Sequence, residues 1–231
     1  MLRAISSMAT KQILAELTAA FEAQSGLRLA VESVGGVDAA RRVRAGEAFD
    51  VVLLASDAIE GLIASGHLLP DSRCDWVHSP VAVAVPAGAP CPDIQSESQL
   101  KAAVLAAASL SYSTGPSGVY LEKLFARWGI AEQIQSRIVV PPPGTPVGAW
   151  VASGRAELGF QQYSEFISVP GIQVLGTLPP EVAYITTFSA GLTLSLRDDA
   201  TRLAQAKSFL NFLCAPETEP IKQRQGMSWL S

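Results

Sequence analysis

Ser111-Tyr112-Ser113-Thr114-Gly115-Pro116-Ser117-Gly118 runs directly into Val119-Tyr120-Leu121-Glu122-Lys123-Leu124-Phe125. The order is that of a strand end, a small-residue loop and an amphipathic helix. Such a junction leaves several backbone N–H groups unpaired at the helix start. It also directs the positive end of the helix dipole at whatever sits there. Ser113, Thr114 and Ser117 add hydroxyls, while Gly115 and Gly118 allow an anion close to the backbone. Taken alone, the loop reads first as an ordinary capped helix. Its weight comes from similar junctions elsewhere in the chain.

Upstream, Leu2 to Ser6 reads as a strand and Ala9 to Gln24 as a helix, with Ile13, Leu14, Leu17 and Phe21 at helical spacing. Leu27 to Ser33 alternates as a strand, Gly35-Gly36 opens a helix from Val37 to Ala45, and Asp50 to Ala55 is a continuous apolar run. Such a run suits a parallel strand buried on both faces. Ser56-Asp57 is expected to cap the next helix, through Ala64. Further on, strands are expected at Val81–Val85, Ser109–Ser113, Ile138–Val140 and Leu158–Gln161. Helices are expected at Gln99–Ala108, Val119–Trp128 and Val147–Ser153. Thr187–Leu196 is long and apolar, and Ala200–Leu213 is the last clear helix.

Alternating strands and helices imply an α/β fold with parallel sheets and right-handed crossovers. Ligands in such sheets bind beyond the carboxyl ends of the strands. Those ends are Ser6-Ser7, Gly35-Gly36, Ser56, Ser113 to Gly118, Gly144-Thr145 and Gln161-Gln162. Nearly all are small or hydroxyl-bearing, which predicts a cleft for a small polar or anionic molecule.

The bulk composition narrows the partners. Hydrophobic residues make up 48% of the 231 and charged ones 16%, which excludes a disordered chain. A net charge of −4, with no basic stripe, argues against nucleic acid. No segment is apolar and long enough to span a membrane. The three cysteines are widely spaced and odd in number, and there are only two histidines. Neither a disulfide framework nor a zinc site is expected, and no metal or cofactor is implied. The N-terminus carries no basic-then-apolar leader. That predicts a periplasmic protein if the chain begins at a mature end behind an added Met, and a cytoplasmic one otherwise.

The run Ser6-Ser7-Met8-Ala9 and the helix end Ala20-Phe21-Glu22-Ala23-Gln24-Ser25-Gly26 resemble a known family. So do Arg44-Ala45-Gly46-Glu47-Ala48-Phe49-Asp50-Val51-Val52, Pro116-Ser117-Gly118-Val119-Tyr120 and Gly154-Arg155-Ala156-Glu157-Leu158-Gly159. The family is that of the molybdate-binding-like periplasmic solute-binding proteins, and the resemblance covers essentially the whole chain. It implies a type II periplasmic-binding-protein fold, with two Rossmann-like lobes joined by two crossover strands. The lobes are expected at 1–83 with 190–231 and at 84–189, a ligand being clamped in the cleft between them. It also implies a monomer that serves a membrane transporter without inserting into the membrane.

The resemblance further implies a ligand set, from which this sequence departs. The family's first serine falls near Met8-Ala9, with Ser7 as substitute, and its second near Gly36. The second-lobe amides fall near Ser117 and near Gly144-Thr145. The tyrosine position is taken by Gln162, with Tyr163 adjacent. Gln161-Gln162 both donates and accepts, and Gly36 leaves room for something larger than a tetrahedral oxyanion. A small organic di- or tricarboxylate is therefore expected in preference to molybdate.

An enzyme on the same scaffold is the alternative, since aconitate isomerase resembles this family. It would move an allylic proton between cis- and trans-aconitate. That chemistry needs a base, for which Glu165 and Glu32 are the candidates, and donors for the carboxylates and developing charge. Ser7, Ser113, Ser117, Thr145 and Gln162 are the donor candidates.

Overall fold

Val51-Val52-Leu53-Leu54-Ala55 is apolar throughout because both faces of its strand are covered. Val51 and Leu53 join one buried cluster, Val52 and Leu54 another. In the computed structural model, which describes residues 1–142 and 145–228, the chain forms two compact units. One comprises residues 1–78 and 187–231, the other residues 79–186.

The first unit opens with β1 (Leu2–Ser7), a 3-10 turn at Met8–Thr10 and α1 (Lys11–Ser25). It continues through β2 (Leu29–Val34), α2 (Gly36–Arg44), β3 (Val51–Ala55) and α3 (Ser56–Ala64). β4 (Cys74–Pro86) then leads into the second unit. That unit contains α4 (Glu97–Ala106), β5 (Leu110–Tyr112), α5 (Pro116–Arg127) and α6 (Ala131–Ile134). It goes on through α7 (Val147–Ala152), β6 (Leu158–Gln162), α8 (Tyr163–Phe166) and β7 (Ile172–Thr177). β8 (Ile185–Leu192) returns the chain to the first unit, which ends with α9 (Ala200–Leu213) and α10 (Glu219–Arg224). Both unit boundaries fall inside strands, β4 and β8. The sequence-based boundaries after residues 83 and 189 cut the same two strands.

In the first unit β1 pairs in parallel with β2, from Leu2↔Leu29 to Ser7↔Val34, and with β3, from Ala4↔Val51 to Ser6↔Leu53. The carboxyl ends of all three strands thus lie at one edge of the sheet. α1 and α9 cover one face, where the Phe21 and Phe209 rings meet edge-on at 5.1 Å. α2 and α3 cover the other through Ala39, Ala40, Val43, Ile59 and Leu62. Asp50, just before β3, is buried and accepts from Arg202 on α9 (Nε 2.7 Å, Nη2 2.9 Å) and from the Arg3 amide (2.7 Å). One carboxylate thereby ties two strands to the last long helix.

The second unit is built around β4, which β6 and β7 flank in antiparallel fashion; β5 adds to β6 in parallel. Val81, Val83 and Val85 face the α4–α5 side. Ala82 and Ala84 face α7 and α8. Small residues on that second face let α7 lie close. A Cβ on Gly159 would come within 2.3 Å of Val151 Cγ2.

Several expectations are corrected. The sheets are mixed, because β8 runs antiparallel to β3 and β4 antiparallel to β6 and β7. Ile138–Val140 is no strand: Ile138 makes one isolated bridge to Leu110. β7 and α10 went unseen, and β4 extends seven residues before Val81. Ser56 begins α3 as its first residue, with Ala55 as the uncapped preceding position, so no hydroxyl cap forms there. The fold also joins Cys74 and Cys214, 140 residues apart, in a disulfide; Cys91 stays free and exposed. The start of β4 packs beside the end of α9, and sequence spacing alone does not reveal that proximity.

Two measurements check this packing. Denatured without reductant, the chain should titrate one thiol, Cys91, and all three cysteines after reduction. Three thiols before reduction would exclude the bridge. A Cβ at Gly118 would fall 1.7 Å from the Ser113 carbonyl oxygen, whereas one at Gly115 meets only the Ser113 hydroxyl, at 3.5 Å. Gly118→Ala should therefore cost roughly 2–3 kcal/mol in denaturant unfolding, and Gly115→Ala well under half that. Equal losses would contradict the close approach.

Candidate functional site

The sequence Ser6-Ser7 closes β1, and the two serines are used differently. Ser6 Oγ pairs with Ser33 Oγ across the β1–β2 register at 2.7 Å. Ser7 Oγ is buried with no hydrogen-bond partner among the described residues. The next residue, Met8, enters the 3-10 turn, where the Thr10 hydroxyl donates to the Ser7 carbonyl (3.2 Å). Gly35 precedes α2 and Gly36 is its first residue; a Cβ there would lie 3.7 Å from Ser7 Cβ. The unpartnered hydroxyl thus sits beside the start of a nine-residue helix with no side-chain cap. Ser56, at the start of α3, is half-buried at the neighbouring strand end.

In the second unit Ser113 follows β5. Its hydroxyl lies 3.4 Å from Ser117 Oγ and accepts from the Gly115 amide at 3.4 Å. The Val119 amide makes an early bond of α5, to Gly115. Gly118 is needed because α5 presses against the Ser113 carbonyl, so its lack of a side chain serves packing before it serves any ligand. Thr145 is half-buried and its amide bonds Pro142. Gly144 lies outside the described residues.

β6 ends in Gln161-Gln162, both buried and both bonded. Gln161 accepts from the Gly148 amide (3.2 Å) and donates to Glu165 Oε1 (2.7 Å). Gln162 donates to Thr186 Oγ1 (2.6 Å), and its own oxygen is buried without a partner. Thr186 was not foreseen, because nothing in its surroundings marks it as lying against β6. Buried polar atoms are rarely left unpaired. Ser7 Oγ and Gln162 Oε1 are two such atoms, one at a strand end of each unit.

The two candidate bases stand in opposite environments. Glu32 is exposed and held by Arg42, which also grips Glu47; the guanidinium keeps both carboxyls below their ordinary range. That favours a permanent ion pair over a proton-transfer group. Glu165 is half-buried, and burial pushes its carboxyl up to about 7 against the opposing pull of the Gln161 hydrogen bond. A carboxyl poised near neutrality can both take and return a proton.

The strand-end stretches 6–10, 34–37, 55–58, 113–118 and 161–166 contain no lysine or arginine. An anion there would be met by hydroxyls, amides and helix starts. Among the described residues no group of three His, Cys, Asp or Glu side chains could hold a metal ion.

Residues 2–228 match the family described as bacterial extracellular solute-binding protein. Aconitate isomerase from Pseudomonas sp is 34% identical over 232 residues, spanning 98% of this chain and 87% of that protein. The Azotobacter vinelandii periplasmic molybdate-binding protein superposes with a TM-score of 0.80 at 20% identity, covering 100% of both chains. The sulfate-binding protein SubI from Mycobacterium tuberculosis H37Rv gives 0.77 at 17% identity, covering 98% of this chain and 85% of that one. At such identities the two structures establish the fold, a mixed α/β fold of the molybdate-binding type. With the family match running through both units and the fold agreeing along the whole chain, this protein belongs to the bacterial extracellular solute-binding protein family.

Proposed function

We propose that the chain binds a small organic di- or tricarboxylate through its strand-end hydroxyls, amides and helix starts, in preference to molybdate. The observation that carries this reading is the buried, unpartnered Ser7 hydroxyl beside the first residue of α2. A hydroxyl donor next to a helix start is suited to an anionic oxygen. The choice of a carboxylate rests on Gly36, which leaves space beside Ser7 where a side chain would otherwise stand. It is also supported by the 34% identical relative, an aconitate isomerase, whereas the molybdate and sulfate binders are no more than 20% identical. As a receptor the chain would work as a monomer that passes its solute to a membrane transporter.

A second reading is favoured by the setting of Glu165, half-buried, held by Gln161 at 2.7 Å and pushed by burial up to about 7. On this reading the protein isomerises its ligand. A proton leaves the methylene carbon for the base, the C–H electron pair becomes the new double bond, and the old double bond takes a proton at the far allylic carbon. No redox partner is needed. Both readings share the same ligand class and differ in whether bound aconitate is returned unchanged.

Calorimetry with trans-aconitate, cis-aconitate, molybdate and sulfate tests the ligand class. The tricarboxylates should bind at least ~100-fold more tightly than molybdate, the equivalent of one or two lost charge-assisted hydrogen bonds. Ser7→Ala should weaken tricarboxylate binding about tenfold while leaving the circular dichroism spectrum intact. Tight molybdate binding with none of aconitate would restore an oxyanion receptor. Incubation with trans-aconitate followed by proton NMR separates the readings: cis-aconitate appearing with time marks the enzyme, and an unchanged spectrum the receptor.

A further inference from the structure

Gln161 touches two groups that have no other evident reason to be linked. Its carbonyl oxygen accepts from the Gly148 amide, the second residue of α7, and its amide nitrogen donates to Glu165 on α8. The orientation of a side-chain amide is often ambiguous, but not here. A backbone N–H can only donate, so the oxygen must face Gly148 and the nitrogen must therefore face Glu165. We infer that Gln161 is a positioning residue: held by Gly148, it donates to one oxygen of Glu165 and leaves the other as the proton-transfer atom. The catalytic half of this inference rests on the isomerase reading above.

The surroundings leave little slack. A Cβ on Gly148 would lie 3.1 Å and 3.3 Å from the Val169 methyls and 3.4 Å from the Phe166 ring, so α7 and the α8 region are already in close contact. Gly159, under α7, is tighter still against Val151. The carboxyl is also isolated from charge. β6 (LGFQQ), α7 (VGAWVA), β7 (IQVLGT) and residues 167–171 (ISVPG) contain no ionisable side chain, and on α8 the other is Tyr163. β4, which meets α8 through Ser79 and Ser164 (3.4 Å), carries Asp75 and His78, and burial holds the imidazole below its ordinary range. Among the described residues the ionised form of Glu165 therefore leans on the Gln161 hydrogen bond. Burial pushes the carboxyl up and that bond pulls it down, to about 7.

The test is a carbon-13 NMR titration of protein labelled at glutamate carboxyls, with Glu165→Gln identifying the resonance. Gln161→Met and Gln161→Leu both remove the donor to Glu165 and add no charge beside it. The parent should titrate near 7, and both variants about one pH unit or more higher. Glu165 titrating in the ordinary carboxylate range, or a midpoint unmoved in both variants, would overturn the inference. Thermal melts give an independent readout. The folded-state value lies above that of the unfolded chain, so the contribution of Glu165 to stability is fully present below about pH 4.3. It is lost as pH rises through about 7. Glu165→Gln should therefore gain melting temperature over the parent most at about pH 8, and far less in acid.

With trans-aconitate as substrate, the acid limb of the parent's pH–rate profile should follow the NMR midpoint. In folded Gln161→Met it should move up with it, with kcat lowered and KM little changed. A moved midpoint with an unmoved acid limb would deny Glu165 the proton-transfer role. No conversion by the parent would remove the isomerase reading and that role with it, and the titration would still decide whether Gln161 governs Glu165.

Discussion

Parallel pairing of β1 with both β2 and β3 is the constraint on which the first unit depends. The register Leu2↔Leu29 and Ala4↔Val51 brings three successive strands to their carboxyl ends at one edge. Each strand then delivers its chain to a turn or helix at that edge: Ser7 to the 3-10 turn, Val34 to α2, Ala55 to α3. A slip of one residue would turn Val52 and Leu54 from the α2–α3 face to the α1–α9 face. A like slip between β1 and β2 would move Ser7 away from Gly36. Asp50 reinforces the β1–β3 register by holding the Arg3 amide and Arg202 together.

Anion binding of the kind proposed above sets an acidic chain an electrostatic problem, and the placement of its arginines bears on it. Arg42 is spent on Glu32 and Glu47, Arg73 on Asp75 and Glu60, and Arg202 on Asp50. None lies in the strand-end stretches. What remains at those edges is partial charge: helix starts, hydroxyls and side-chain amides, all fixed by the fold and cheap to leave in place when no ligand is bound. Partial charges also discriminate less sharply by total charge than by shape. That is consistent with a single fold appearing in a molybdate-binding protein, a sulfate-binding protein and an aconitate isomerase relative.

Much of this was legible in the sequence, for identifiable reasons. β3 announces itself because both its faces are buried, and α9 because its apolar positions recur and Asp199 caps its start. The strand-end loops stand out by composition. What escaped notice depends on distant partners. The first half of β4 mixes Asp75, His78 and Ser79 with Trp76 and Val77, and its polar positions are explained only by neighbours such as Ser189 and Thr187 far along the chain. β7 contains Gly176 at a positive φ and pairs across a register shift, so its alternation is broken where a sequence reader would need it. The Cys74–Cys214 bridge spans 140 residues, and no local pattern encodes such a proximity.

Glu32 and Glu165 show the same limit at the level of chemistry. Both are glutamates at or just after a strand's carboxyl end, and residue type alone ranks them equally as bases. Their flanks differ in a way the sequence does carry. Arg41, Arg42 and Arg44 follow Glu32 within one βα unit, whereas the elements around Glu165 have no cation at all. A charged neighbourhood turns a carboxyl into an ion-pair partner, held by the cation below its ordinary range. An uncharged, half-buried one leaves the carboxyl to the balance between burial and a single hydrogen bond, and that balance falls near neutrality. Of the two glutamates, Glu165 is thus the one whose carboxyl answers to burial and to the adjacent strand-end amide, Gln161, and not to a cation.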